Sequence, residues 1–306
     1  MGSRGPIFWL RAARAPFFTG SLAPVMVGTA AAFYHRGAVN WLHAALALGA
    51  LVCLHAGANL ANDYYDHLTG NDERNVSYVS PFTGGSRLIQ GGRVQPWEML
   101  AASLISLGLG GALGAYLVFA AGWPILALGI IGAATGFFYT APPLKLGYRG
   151  IGEVFIFLDF GLLPVLGAYY VQMRTFSAGA AVAGACVGLL MTNVLWINQF
   201  QDAEADAAVG KRNWVVRLGR RASARVHGGL FALTYAVIIA GVGWGLLPGW
   251  AMLGLLSLPL AVRASAASLR YHDQLGKLTP ANVATIATHL ITSLLLALGF
   301  ILAPRP

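Results

Sequence analysis

Apolar runs long enough to cross a bilayer recur along almost the whole of this 306-residue chain. A helix of about 20 residues crosses the roughly 30 Å hydrocarbon layer, and within lipid every backbone polar group has to be satisfied by the segment itself. Read between charged or Gly/Pro-rich breaks, the runs fall near 17–34, 41–66, 97–119, 123–140, 151–171, 178–202, 227–246, 249–266 and 281–302. The pattern predicts an all-α, polytopic membrane protein of nine transmembrane helices in a single domain, 1–306. With 57% hydrophobic and 10% charged residues, the composition excludes a soluble globule.

Nine passes would put the N-terminus and the loops after the second, fourth, sixth and eighth runs on one side. Of the 20 basic residues, only Arg36, Arg174 and Arg305 fall on the other side. The positive-inside rule therefore predicts a cytoplasmic N-terminus and cytoplasmic cap loops, in the cell inner membrane. The net charge of +9 reads as topology and attraction to anionic membrane lipid, with no nucleic-acid footprint. Arginines interleaved with Phe8, Trp9 and Leu10 predict an interfacial amphipathic helix over residues 1–18. Cys53 and Cys186 lie inside predicted spans without metal-ligand spacing and read as apolar packing.

Two of the predicted helices end in acid and amide residues. Asn59, Asn62, Asp63 and Asp66, continuing to Asp72, close the second run, and Asn198, Asp202 and Asp206 close the sixth. Spacings of three, four and eight put each set along one helix face. An aspartate in mid-membrane costs roughly 2.5–3.5 kcal/mol on insertion scales, so such residues mark chemistry by default. The acidic motifs at 59–72 and 198–212, each followed by a basic, Gly-containing loop, suggest two similarly built halves.

Carboxylates converging in a low-dielectric cavity repel one another unless a cation holds them. An all-oxygen set of Asp and Asn favours Mg²⁺, which commonly bridges protein carboxylates to substrate phosphates. A diphosphate substrate is thus predicted, with Arg87, Lys145, Lys211 and Arg212 supplying further positive charge. Thr83-Gly84-Gly85-Ser86-Arg87 and Gly91-Gly92-Arg93 would let backbone N–H groups approach the anion. A polar clamp opening into an apolar bundle suits a polyprenyl tail, and aromatic walls would stabilise the allylic cation left when the C–O bond breaks.

Several ordered segments resemble the UbiA superfamily of intramembrane aromatic prenyltransferases: Asn-Leu-Ala-Asn-Asp-Tyr-Tyr-Asp at 59–66, Gly-Gly-Ser-Arg-Leu-Ile-Gln at 84–90, Tyr-Thr-Ala-Pro-Pro-Leu-Lys at 139–145, Gly-Ile-Gly-Glu-Val-Phe at 150–155, and Asp-x-x-x-Asp-x-x-x-Gly-Lys-Arg at 202–212. The likeness is strongest to the branch acting on 1,4-dihydroxy-2-naphthoate. It implies nine helices around a central cavity, two Mg²⁺ ions and a lateral opening to lipid. The implied metal and catalytic residues are Asn62, Asp63, Asp66, Asp202 and Asp206, with Asp72 as the distal aspartate. Asn59, Asn198, Arg87, Lys145, Lys211 and Arg212 would contact substrate or hold the loops, and Tyr139 would line the acceptor side. The implied reaction joins a polyprenyl group from its diphosphate to the aromatic acceptor with loss of CO₂, in menaquinone biosynthesis. A 4-hydroxybenzoate acceptor, which would keep its carboxylate, is the alternative. Gln199-Phe200-Gln201 departs from the Asn-Asn-x-Arg-Asp style of sequence carried there by many menaquinone enzymes.

Other polar residues inside the runs are His55, His289, Glu153 and Asp159; the two acids are candidates for acceptor binding and the histidines for bonds between helices. An ion-coupled transporter is the rival class, but would carry its carboxylates near mid-membrane. A CDP-alcohol phosphotransferase would need an Asp-Gly-x-x-Ala-Arg core, which the sequence lacks.

Overall fold

The computed structural model describes residues 5–80 and 82–306. The reading of residues 1–18 as one interfacial helix is met from Pro6 onward, and its first four residues, Arg4 among them, lie outside the described part. Helix α1 (Pro6–Ala12) ends at Arg14, which takes a left-handed backbone before a short turn leads into α2 (Thr19–Arg36). Then follow α3 (Trp41–Leu68), α4 (Pro96–Ala121), α5 (Trp123–Phe137), α6 (Gly152–Met173), α7 (Ala178–Ala208), α8 (Arg220–Gly243), α9 (Gly249–Tyr271) and α10 (Thr279–Leu302). No strand occurs among the described residues.

Eight of these helices are long and apolar enough to cross a membrane. The fourth predicted span is shorter than expected: α5 has 15 residues, about 22 Å at 1.5 Å per residue. It still carries the chain between the two ends of the bundle. It starts where Ala121, Ile125 and Val171 pack together, and it is followed by Tyr139, on the wall of the cavity that holds both acidic motifs. Pro142 and Pro143 then prevent the helix from continuing.

Burial separates the centre of the bundle from its rim. The apolar window of α7 is 72% buried and that of α4 only 17%, although both have a mean hydropathy of 1.9. An apolar surface as open as that of α4 is stable in lipid and not in water. Trp41, Trp123 and Trp244 are exposed at one end of the bundle, and Trp97 and Trp214 at the other, as in the aromatic belts of membrane proteins.

Close approach at the centre depends on small residues. A Cβ on Gly161 would stand 2.2 Å from the Cα of Gly188, and one on Gly188 would stand 2.5 Å from the carbonyl oxygen of Phe157. Gly184 and Gly188, one turn apart on α7, therefore let α6 lie directly against it, the small-residue packing that replaces hydrophobic drive in a bilayer. Here α6 is not a regular helix. Leu158–Leu162 forms a π-helical turn, which places Asp159 on the cavity side. Likewise α9 begins as a 3-10 helix over Gly249–Ser257, packed so tightly that a Cβ on Gly299 would stand 2.6 Å from the carbonyl oxygen of Trp250.

Candidate active site

The C-terminal halves of α3 and α7 face each other across a polar cavity lined by Asn59, Asn62, Asp66, Asp72, Asn198, Asp202, Asp206 and Lys211, with Tyr139 on its wall. Both acidic motifs are thus brought together, at the same end of the bundle. The loop after α3 closes the gap. Asn71 donates from Nδ2 to Asp206 Oδ1 at 3.0 Å, and Asn75 donates to Asp202 Oδ1 at 2.6 Å. Asn213 donates to the other oxygen of Asp206 at 2.7 Å, and Asn62 donates to Asp66 at 3.0 Å.

Lys211 Nζ lies 3.3 Å from Asp206 and 3.6 Å from Asp66, one cation serving both motifs. Burial opposes its charge, but Asp206 and Asp66 outweigh burial and raise its pKa well above the ordinary lysine value. Its ammonium also faces the ring of Tyr148 at 5.7 Å, with Lys145 over the same ring at 5.2 Å. Tyr148 donates to Asp66 Oδ1 at 3.3 Å. Burial and the Asp66 charge push the Tyr148 phenol up to about 12, so it is a donor across the physiological range. Burial likewise raises Tyr139.

Asp63 departs from the expected convergence of carboxylates. It is buried and paired with Arg14, which itself lines the cavity, and it accepts from the backbone N–H of Ser86 at 3.0 Å. Arg14 also donates to Asn62 Oδ1 at 3.0 Å, so a residue read only as a topological charge ties the N-terminal segment to the first motif. The glycine pair of the cap loop is seated by the same carboxylates. Gly84 and Gly85 have φ of 76° and 73°, and a Cβ on Gly85 would fall 2.9 Å from Asp72 Oδ2 and 3.0 Å from Asp63 Oδ1.

Arg87, Lys145 and Arg212 stand outside the cavity wall. Arg87 packs over Tyr78 at 4.4 Å and donates to the backbone carbonyl of Asp72, which holds the cap loop down. Arg212 is exposed, and its backbone N–H donates to the carbonyl of Tyr148 at 3.1 Å. Asn59 donates to the carbonyl of Ala13 at 3.0 Å, and Asn198 accepts from Asn282 at 2.8 Å. Glu153 takes the amide of Gln199 at 3.1 Å and the backbone N–H of Trp214 at 3.2 Å, joining the start of α6 to α7. His55 on α3 bonds Ser21 of α2 at 2.9 Å, a bond between helices as expected.

Among the described residues, no three carboxylate, imidazole or thiol groups are close enough to hold a metal ion unaided. Side-chain amides add further oxygens beside the carboxylates. Asn71 Oδ1, Asn75 Oδ1 and Gln199 Oε1 are buried oxygens without a hydrogen-bond partner, on residues that line the cavity. Unsatisfied buried oxygens beside Asp66, Asp202 and Asp206 suit a hard cation that keeps waters and takes its other ligands from phosphate. The amides Asn71, Asn75 and Gln199 were missed at the sequence level; for the first two the signal was Asn71-Asp72-x-x-Asn75, which extends the first acid-amide pattern past the helix end.

A second cavity, of about 300 Å³, lies between α3, α4, α5 and α6. Asp159 lines both it and the polar cavity.

Two acid-bearing helix ends joined by amides, capped by a glycine loop and set in an apolar bundle define an intramembrane enzyme that handles an anion attached to a greasy group. The chain belongs to the UbiA prenyltransferase family, which it matches over residues 21–286, and it is an integral membrane prenyltransferase. It is 35% identical to a 1,4-dihydroxy-2-naphthoate octaprenyltransferase of Mycobacterium tuberculosis, over 84% of each chain. It is 33% identical to the Escherichia coli protein of that name, over 96% of this chain and 95% of the other. To a 2-carboxy-1,4-naphthoquinone phytyltransferase of Synechocystis it is 29% identical, over 95% and 92%. In fold it resembles a UbiA homologue from Archaeoglobus fulgidus bound to DMAPP and Mg²⁺, with TM-score 0.64, 19% identity and coverage of 95% and 97%. An apo UbiA homologue from Aeropyrum pernix gives TM-score 0.67, 18% identity and coverage of 92% and 98%.

Proposed function

We propose that this enzyme transfers a polyprenyl group from an allylic diphosphate to 1,4-dihydroxy-2-naphthoate, with loss of the ring carboxylate as CO₂, in menaquinone biosynthesis. The observation that carries this reading is the pairing of the two acidic motifs across one cavity through Asn71, Asn75 and Lys211. The naphthoate acceptor rests on the relatives named for it, which align over most of this chain.

Asp66, Asp202 and Asp206, with Asp72 and the orphan amide oxygens, are the residues to hold two Mg²⁺ ions against the diphosphate. Bound there, the ions supply charge neutralisation to the departing diphosphate. Lys211 adds a fixed cation between the motifs, and Tyr148 holds Asp66 by donating its O–H. Thr83, Gly84 and Gly85 cover the cavity and exclude water, which would otherwise capture the allylic cation. The naphthoate ring attacks the allylic carbon, the C–O bond having broken toward diphosphate. Loss of CO₂ then restores aromaticity. Asp63, paired with Arg14, fixes the N-terminal segment and the cap loop to α3 and is a positioning residue in this scheme. The clustering of basic loops at the acidic end supports a cytoplasmic active site in the cell inner membrane.

The test gives purified protein one polyprenyl diphosphate and a panel of hydroxynaphthoates with 4-hydroxybenzoate, and weighs the products by mass spectrometry. A prenylated naphthol lacking CO₂ is expected. A prenylated hydroxybenzoate that keeps its carboxylate, formed in preference, overturns the acceptor assignment and leaves prenyl transfer standing.

A further inference from the structure

Asp159 stands where two unlike cavities meet. On one side is the polar cavity of the acidic motifs. On the other is the apolar cavity, whose wall apart from Asp159 consists only of Ala, Val, Leu, Ile, Gly and Pro. A carboxyl group set in such a wall is costly unless something hydrogen-bonds to it.

Among the described residues, at most one such bond is supplied, by Thr135. Thr135 Oγ1 lies 2.9 and 2.8 Å from the two carboxyl oxygens of Asp159, and 2.7 Å from the backbone carbonyl of Ile131, one turn back on α5. A hydroxyl has one hydrogen to give. Whichever acceptor takes it, at least one carboxyl oxygen of Asp159 is left facing the cavities with no donor among the described residues. The π-helical turn Leu158–Leu162 is what aims this group inward, the kind of local irregularity that gathers at functional sites.

We propose that Asp159 accepts a hydrogen bond from a hydroxyl of the aromatic acceptor and so fixes the ring between the diphosphate site and the apolar cavity. The assignment deepens the function proposed above and rests on it. It follows by elimination among the reactants. The diphosphate is an anion and is repelled by a carboxylate. The prenyl tail is hydrocarbon with nothing to donate. The metal ligands come from α3, α7 and the loop after α3, none from α6. The acceptor is the reactant that carries an O–H. Its own carboxylate then points away from Asp159, because two negative charges in a low-dielectric cavity repel. Phe160 and His55, packed edge to face at 4.6 Å on the same wall, offer the ring an aromatic surface.

The experiment compares wild type with Asp159→Asn, Asp159→Leu and Thr135→Val. Acceptor binding is followed by fluorescence titration without metal or prenyl diphosphate, using 1,4-dihydroxy-2-naphthoate and its O-methyl ethers. Wild type should bind the free hydroxyl form about tenfold or more tightly than at least one ether. Asp159→Leu should lose that discrimination, with acceptor KM raised about tenfold and the KM for prenyl diphosphate unchanged. Thr135→Val should keep the discrimination, and Asp159→Asn, whose neutral amide oxygen accepts less strongly than a carboxylate, should weaken it without abolishing it and so reports if the Leu variant does not fold. Equal discrimination in wild type and the Asp159 variants makes the residue a packing element and overturns the proposal, as does a change confined to the prenyl diphosphate KM. Tight, Asp159-dependent binding without any prenylated naphthol would instead count against the functional reading alone.

Discussion

Asn71 and Asp206, 135 residues apart in the chain, are joined by a hydrogen bond of 3.0 Å in which the amide donates to the carboxylate. Asn75, one turn further along the same loop, repeats the contact with Asp202. Each amide therefore uses its donor side to hold the second motif and leaves its carbonyl oxygen for the cavity. The first motif thereby places the second without adding negative charge, which a carboxylate at either position would do.

Replacing Asn75 with Leu removes both functions at once. The expected result is a fall in metal affinity of about tenfold, the loss of roughly one hydrogen bond to a charged group, with the metal-free protein destabilised by about 1–3 kcal/mol because Asp202 loses its amide donor. Titration with Mn²⁺ followed by electron paramagnetic resonance reads this directly. Unchanged affinity would remove Asn75 from the metal site.

Lys211 is the cation that lets Asp66 and Asp206 approach while no metal is bound. Lys211→Met should destabilise the metal-free protein by about 3–5 kcal/mol, the cost of breaking a buried ion pair from one side. Because the folded pKa of Lys211 is raised, this contribution is fully present at neutral pH and fades only as pH climbs through a value well above 10.5. Saturating Mg²⁺ should narrow the gap in melting temperature between variant and wild type. A gap that ignores Mg²⁺ would mean that Lys211 does not compensate the carboxylates proposed to bind the metal.

Much of the site was legible because its chemistry is local in sequence. Asp63 and Asp66, or Asp202 and Asp206, declare themselves by helical spacing in an otherwise apolar run. Contacts between distant segments left no such trace. Nothing in the spacing of Arg14 distinguishes an arginine that pairs with Asp63 from one that marks topology. Asp63 itself looked equivalent to Asp66, since a helix face is wide enough to hold both; which one meets the cavity depends on where residues 5–18 fold back. The short α5 and the π-helical turn in α6 were hidden for another reason. Hydropathy records how apolar a segment is, whereas Pro142, Pro143 and the Gly161–Gly188 contact decide how far and how regularly it stays helical.

That glycine contact makes its own prediction. A methyl group on Gly188 would meet the Phe157 carbonyl oxygen at 2.5 Å, a backbone atom that cannot rotate aside. Gly188→Ala should therefore cost about 1–3 kcal/mol through overpacking and, by shifting the turn that carries Asp159, weaken acceptor binding as well. Gly108→Ala, where a Cβ meets nothing within 4 Å, is the matched control and should be neutral or slightly stabilising. Melting in detergent or nanodiscs separates the two, and equal melting temperatures would contradict close packing of α6 on α7.

Asp72 gives the site a pH dependence whose sign can be worked out. Burial, followed by the charges of Asp66 and Asp63, raises its carboxyl from 3.8 to about 8, against the opposing pull of Arg14 and Arg87. Without metal the group is therefore protonated at neutral pH in the folded protein and ionised in the unfolded one. Stability of the metal-free protein should fall as pH rises from about 4 to 8, and level off above that, where both states are ionised. A divalent cation favours the ionised form, so Asp72 should contribute nearly one of the protons expelled on loading at pH 7 and almost none at pH 9. Calorimetric titration with Mg²⁺ in buffers of different ionisation heat measures that number. An apparent enthalpy independent of the buffer at pH 7 would show that Asp72 keeps its proton when the metal binds, and so stands outside the ligand set.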